Sequence, residues 1–160
     1  VYINGQDIFS LNDDKLAIFR RRHIGLIYQF YNLIPILNVK ENILLPLQLD
    51  NRDCDKSDLK ELLKLLGLEN RENHLPNELS GGQQQRTSIG RALVTKPAII
   101  LADEPTGNLD SKSSDEIVDL LKKSNKDLKQ TIIMITHNPE LAKMADRIIK
   151  IEDGKIVSEE

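Results

Sequence analysis

Two short segments hold residue types suited to phosphate and water chemistry. In Leu79-Ser80-Gly81-Gly82-Gln83, a hydroxyl and two glycines stand where a helix begins. Free backbone N–H groups at a helix start, together with the helix dipole, bind anions. Glycines let a phosphate approach the backbone, and the Ser80 hydroxyl can add a hydrogen bond. The same residues also suit a plain loop-to-helix cap. In Ile99-Ile100-Leu101-Ala102-Asp103-Glu104, an apolar run precedes two acids. Such a run reads as a buried strand, and α/β sheets bind ligands at the carboxyl ends of their strands. Asp103 is suited there to hold Mg²⁺ through its water shell. Glu104 is suited to orient and polarise an attacking water. An acidic pair ending a strand also suits a solvated turn.

Two further polar residues emerge from strand ends. Gln29 follows Ile24-Gly25-Leu26-Ile27-Tyr28, and His137 follows Thr131 to Thr136. Glutamine can bond a metal-bound water and a neighbouring backbone at once. Histidine can hydrogen-bond a terminal phosphate or the attacking water, although a lone histidine beside a helix start is often structural.

The elements that must position these residues follow from the local pattern. Asn4-Gly5 between Val1–Ile3 and Gln6–Ile8 predicts a hairpin. Asn12 caps a helix to about Arg22, with acids in its first turn. The run Arg20-Arg21-Arg22-His23 reads as a solvated helix end whose cations suit the dipole. Val39 to Leu49 is helical, and Pro46 should end or kink it. Leu59, Leu62, Leu63 and Leu66 form one helix face, closed by Gly67. A helix is expected over Gln83 to Val94. Another spans Ser113 to Ser124, opened by a Ser113-x-x-Glu116 capping box. Thr131 to Thr136 is a second buried strand. Asn138-Pro139 starts a further helix, and Asp153-Gly154 joins a second hairpin. Buried strands alternating with helices give an α/β class with a parallel central sheet.

Composition narrows the function. The net charge of −3 gives no global case for nucleic-acid binding. A single cysteine, Cys54, allows no intrachain disulfide and fits a reducing compartment. No apolar run approaches the roughly 18–20 residues that a membrane span needs.

Taken in order, these segments resemble the ABC ATPase family. The order is strand-Gln29, a helical insertion over about 32–79, Leu79 to Gln83, a strand ending Asp103-Glu104, Gly107-Asn108-Leu109-Asp110, and a strand ending at His137. The resemblance covers essentially the whole chain, 1–160, as one nucleotide-binding domain. It implies a P-loop NTPase-like α/β fold with a parallel core sheet, a helical subdomain and part of an antiparallel β subdomain. It implies ATP and Mg²⁺ as cofactors. Gln29 resembles the Q-loop glutamine beside the metal. Ser80, Gly81, Gly82 and Gln83 resemble the signature that meets the γ-phosphate held by an opposite subunit. Asp103 resembles the metal-holding Walker B aspartate, and Glu104 the catalytic glutamate. Asp110 resembles the D-loop aspartate that crosses the dimer interface, and His137 the catalytic switch histidine. Many relatives carry small apolar residues where Thr87, Ser88 and Gly90 stand.

The family's Gly-x-x-x-x-Gly-Lys-Ser/Thr loop does not occur in the 160 residues; the only Gly-Lys is Gly154-Lys155. In the family that loop lies upstream of the hairpin with which this chain begins. The expectation is therefore an N-terminally truncated domain without its P-loop strand, inactive alone, with an apolar sheet edge left bare. The segments Tyr28 to Pro35, Asn42 to Leu47 and Ala102 to Asp110 are similar to the subgroup paired with FtsX-like permeases. That subgroup serves lipoprotein release, macrolide export and antimicrobial-peptide resistance. It implies a second nucleotide-binding domain and a permease as partners, at the cytoplasmic face of the inner or plasma membrane. The rivals are a non-catalytic interaction fragment and a soluble relative acting on ribosomes or DNA. The long heptad coiled coils and paired domains of the latter are absent from the sequence.

Overall fold

A computed structural model describes residues 1–159. The chain opens on an antiparallel hairpin, β1 (Tyr2–Ile3) and β2 (Gln6–Asp7). Asn4 and Gly5 both take positive φ, +50° and +78°, as a tight two-residue hairpin requires. Helix α1 (Asp13–His23) follows, with the Asn12 side chain accepting from the Lys15 amide at 3.0 Å. It runs directly into β3 (Ile24–Ile27). Next come α2 (Val39–Gln48), α3 (Lys56–Leu66) and a single 3₁₀ turn at Pro76–Glu78. Helix α4 (Gly81–Leu93) leads to β4 (Ile99–Asp103). Helix α5 (Ser111–Leu128) leads to β5 (Thr131–Ile135). A short α6 (Pro139–Ala142) and the antiparallel hairpin β6 (Ile149–Glu152) and β7 (Lys155–Glu159) complete it.

Strands β3, β4 and β5 form a parallel sheet in that order. Its two faces differ. Ile27, Ile100 and Ala102 point into the core, where Ile89, Ala92 and Leu93 of α4 and Ile117, Leu120 and Leu121 of α5 meet them. The other face carries Leu26, Ile133 and Ile135, which are 44%, 50% and 60% exposed. The sequence predicts β4 and β5 to be buried on both sides. The structure covers only the α4–α5 side, so the apolar alternate residues of β5 stand open. The apolar residues left open lie on a face of the sheet, whereas the sequence expectation concerned an edge.

Of the two outcomes expected at Pro46, an end or a kink, α2 does not end there: Pro46 lies in the last turn and forfeits one backbone bond, and the Leu49 amide still reaches Leu45 O at 3.0 Å. Two other expectations are revised. The α5 cap is Asp110, not Ser113: the Asp110 carboxylate accepts from both the Ser113 amide and its hydroxyl, each at 2.9 Å. Glu116 pairs instead with Arg86 of α4 at 2.7 Å. The arginines ending α1 are not merely solvated. Arg21 donates to Leu49 O, and Arg22 grips Asp50 through two bonds of 2.7 and 3.1 Å, tying α1 to the end of α2.

That clamp has a pH signature. Arg22, with Arg21 and Arg52 beside it, holds the Asp50 carboxyl below the usual carboxylate range. A depressed folded pKa stabilises the fold above the ordinary aspartate range, and the contribution fades as pH falls through the folded value. Acid titration of thermal stability should therefore be shallower for Asp50→Asn than for the wild type.

Helix α2 is anchored by a buried amide. The Asn42 Nδ2 donates to Ile34 O, Leu37 O and Asn38 O at 3.1, 2.8 and 3.1 Å, while its Oδ1 accepts from the Ile34 amide at 2.8 Å. Asn42→Ala should cost about 1–3 kcal/mol, the scale of orphaned buried polar groups, measured by denaturant unfolding. In α4, the small residue at position 90 is a packing requirement. A Cβ on Gly90 would lie 2.6 Å from Leu66 Cδ1 and 3.0 Å from Ile43.

Candidate functional site

The ends of β3, β4 and β5 bring four of the expected residues to one edge of the sheet. Gln29 follows β3, Asp103 ends β4, Glu104 follows it, and His137 follows β5. Glu104 takes φ +43°, unusual for a residue with a Cβ, and its amide donates to Ile135 O at 3.0 Å. The turn aims its carboxylate at the end of β5. There Oε1 accepts the His137 amide at 2.6 Å and Oε2 the Thr136 hydroxyl at 3.4 Å. The carboxylate is thereby oriented by two donors. The His137 side chain is 98% exposed, and its Nε2 stands 3.8 Å from Glu104 Oε1. The backbone of His137 holds Glu104, while the ring is left to solvent.

Gln29 lies against the loop after β4. Its Nε2 donates to Asn108 Oδ1 at 3.4 Å, and Asn108 Nδ2 returns a bond to Gln29 O at 3.0 Å. The absence of a side chain at Gly107 makes this possible, since a Cβ there would sit 2.8 Å from Gln29 Nε2.

The second group gathers at the start of α4. Ser80 and Gln83 form a reciprocal capping box: Ser80 Oγ accepts the Gln83 amide at 3.3 Å, and Gln83 Oε1 accepts the Ser80 amide at 3.0 Å. Gly81, half-buried, and Gly82, buried, begin the helix with side chains packed close against them. A Cβ on Gly81 would approach Tyr31 Oη at 2.9 Å, and one on Gly82 would approach Ser113 Oγ at 3.3 Å. Asp110 thus stands beside the glycines through Ser113. The Ser113 amide and hydroxyl hold the Asp110 carboxyl below its usual range. No hydrogen bond joins Glu104 to Ser80; the two groups meet through the loop after β4, whose Asn108 bonds Gln29 and whose Leu109 lies against Gly81.

Among the described residues, no three His, Cys, Asp or Glu side chains gather as metal ligands. Mg²⁺ keeps several waters and takes one or two protein oxygens plus substrate phosphates. Asp103 and Gln29 carry side-chain oxygens at neighbouring strand ends and are the residues that could hold such an ion. No helix among the described residues is long and apolar enough to cross a membrane.

Sequence reading missed the residues that hold this edge together. Gln85 of α4 is fully buried and bonds both Tyr28 O and Pro105 O. Arg91 donates to Tyr31 O at 2.9 Å and Asn32 O at 2.6 Å, and burial lowers its pKa. The signal for Gln85 was its place in the apolar stripe with Ile89 and Ala92, at i, i+4 and i+7.

A parallel sheet with an acidic pair at one strand end, beside a helix opened by Ser-Gly-Gly, defines the chain as an α/β domain of the ATP-binding-cassette class. The model of the ABC transporter family matches residues 1–107, and the chain belongs to that family. It is 42% identical over 159 residues to the lipoprotein-releasing system ATP-binding protein LolD of Cytophaga hutchinsonii, covering 98% of this chain and 73% of that one. It is 44% identical over 161 residues to the bacitracin export ATP-binding protein BceA of Halalkalibacterium halodurans, covering 99% and 64%. Among solved structures it is similar to a dimeric post-hydrolysis state of the ATP-binding cassette MJ0796 bound to ADP and Pi. The TM-score is 0.85 at 44% identity, covering 99% of this chain and 71% of that one.

Proposed function

We propose that this chain is the ATP-binding and ATP-hydrolysing part of a transporter, working as one of two copies around composite sites. Asp103 and Gln29 would hold a hydrated Mg²⁺, which when bound offsets charge on the phosphates. Glu104 orients and polarises the attacking water. His137, standing free in solvent beside it, is available to the terminal phosphate. Ser80, Gly81, Gly82 and Gln83 of the opposite copy cover that phosphate with helix-start N–H groups, and Asp110 lies at the junction. Residues 32–79 serve as a helical subdomain.

The observation that carries this reading is the fixed Glu104 carboxylate, held by two donors from the loop after β5 while Asp103 is left open at the same sheet edge. The likeness to LolD and BceA supports an FtsX-like permease as partner, with export, lipoprotein release or peptide-antibiotic resistance as the work done. It also supports a place on the cytoplasmic face of the membrane through that permease.

The 160 residues contain no Gly-x-x-x-x-Gly-Lys-Ser/Thr loop. That loop supplies much of the phosphate binding in such enzymes. These residues by themselves should release no phosphate from ATP, whereas the protein bearing the loop should. Phosphate release measured on both checks this. Turnover by the 160 residues alone, lost on Glu104→Gln, would overturn the first half. A loop-bearing protein without turnover would overturn the second.

A further inference from the structure

One side chain ties the two halves of the site together. Gln85 is 0% exposed, and its Nε2 donates to Pro105 O at 2.6 Å and to Tyr28 O at 3.3 Å. Tyr28 immediately precedes Gln29, and Pro105 immediately follows Glu104. Both acceptors are carbonyl oxygens, so the end facing them is the NH₂ group. The other end, Oε1, has no hydrogen-bond partner. A buried amide with an orphaned acceptor is a poor way to fill a core, where an apolar side chain of the same length would do better. What the amide does, and an apolar residue cannot, is donate to both loops at once. Arg91, farther along the same helix, holds Tyr31 O and Asn32 O of the first loop.

We propose that Gln85 is a positioning residue. Through one amide it fixes the loop bearing Gln29 and the loop bearing Glu104 onto α4, the helix whose tip is Ser80-Gly81-Gly82. The tip that covers phosphate at one composite site is thereby linked, through α4, to the loop of the acid that polarises water at the other. A shift of the tip on closure is carried to Glu104 of the same copy. The proposal rests on the ATPase reading above.

Gln85→Met keeps length and removes the donors. Two measurements test it. The first is amide hydrogen exchange. The Gly107 amide, bonded to Glu104 O, and the His137 amide, bonded to Glu104 Oε1, report on the loop. The Val94 amide, bonded to Gly90 O, reports on α4 itself. Exchange at Gly107 and His137 should rise about tenfold or more, with Val94 unchanged, as for a local opening. The second is turnover of the loop-bearing protein. Its kcat should fall about 10- to 100-fold, the scale of a small misplacement of a catalytic group, while the KM for ATP stays within about threefold.

Unchanged exchange at Gly107 and His137, a rise shared equally by Val94, or a kcat within about twofold of wild type would each overturn the proposal. If the methionine variant does not fold, Gln85→Asn keeps the amide but falls short of both carbonyls, and the same outcomes decide. A wild-type protein without turnover would sink the ATPase reading and this proposal with it. An active wild type with an equally active Gln85→Met would sink the proposal alone.

Discussion

Glu104→Gln should lower ATP turnover of the loop-bearing protein by about 10²- to 10⁴-fold, the range for removing a general base, with ATP still bound. The structure gives the reason. Glu104 takes a positive φ, and its amide is fixed to Ile135 O, so the side chain has a single direction in which to leave the loop. Its two oxygens already accept from the His137 amide and the Thr136 hydroxyl. Glutamine has the same shape and can keep the bond to the His137 amide through its one oxygen. It loses the negative charge that polarises water. Its NH₂ group also replaces the oxygen that accepts from Thr136. The geometry is therefore retained while the chemistry is not, which separates this variant from one that merely disturbs the loop. A fall in kcat with little change in ATP affinity is the expected pattern, read from steady-state kinetics and nucleotide binding on one preparation.

The largest stability effect should come from Gly25→Val. Gly25 lies in β3, where α4 packs on the sheet. A Cβ there would sit 2.8 Å from the Ala92 backbone oxygen and 3.2 Å from both Ala92 Cβ and Pro97 Cγ. The nearest obstacle is helix backbone, which cannot turn aside as a flexible side chain would. Relief requires α4 to move away from β3, loosening Ile27, Ile89, Ala92 and Ile100 together. Valine should cost about 3 kcal/mol or more, the upper range for overpacking. Denaturant unfolding measures it. Gly5→Ala offers the contrast: nothing lies within 4 Å of its Cβ, so only the positive φ, +78°, opposes the change.

Much of this architecture was legible because particular residues leave few options. Asn4-Gly5 and Asp153-Gly154 permit the positive φ of two-residue hairpins, and both hairpins are present. Asn12, Ser80 and Asn138 cap the helices they precede. The leucine stripe of α3 buries Leu59, Leu63 and Leu66, and Gly67 closes the helix at φ +64°. The acids at the end of β4, Asp103 and Glu104, emerge at the sheet edge where the apolar run placed them.

What could not be read depended on contacts distant in sequence. Asp110 and Ser113 can each cap a helix, and only the observed bonds choose between them. Arg21 and Arg22 find Leu49 and Asp50 after a separation that local patterns do not register. The run Thr131 to Ile135 is apolar enough to be buried on both faces. Whether it is depends on what else packs there, which a strand does not encode. Gln85 resembles its half-buried neighbours Gln83 and Gln84 in type, and its role came into view only with the two carbonyls it holds.

Within one copy no hydrogen bond joins Ser80 to Glu104, and the proposed site forms where the Ser80 tip of one copy meets the Glu104 edge of another across a two-fold axis. The most direct measurement is the structure of loop-bearing Glu104→Gln protein with Mg²⁺ and ATP. Ser80 Oγ and the Gly82 amide should lie within hydrogen-bonding distance, about 3 Å, of the γ-phosphate bound by the opposite copy. A γ-phosphate contacted by residue 104 but remote from every Ser80 in the assembly would contradict the account.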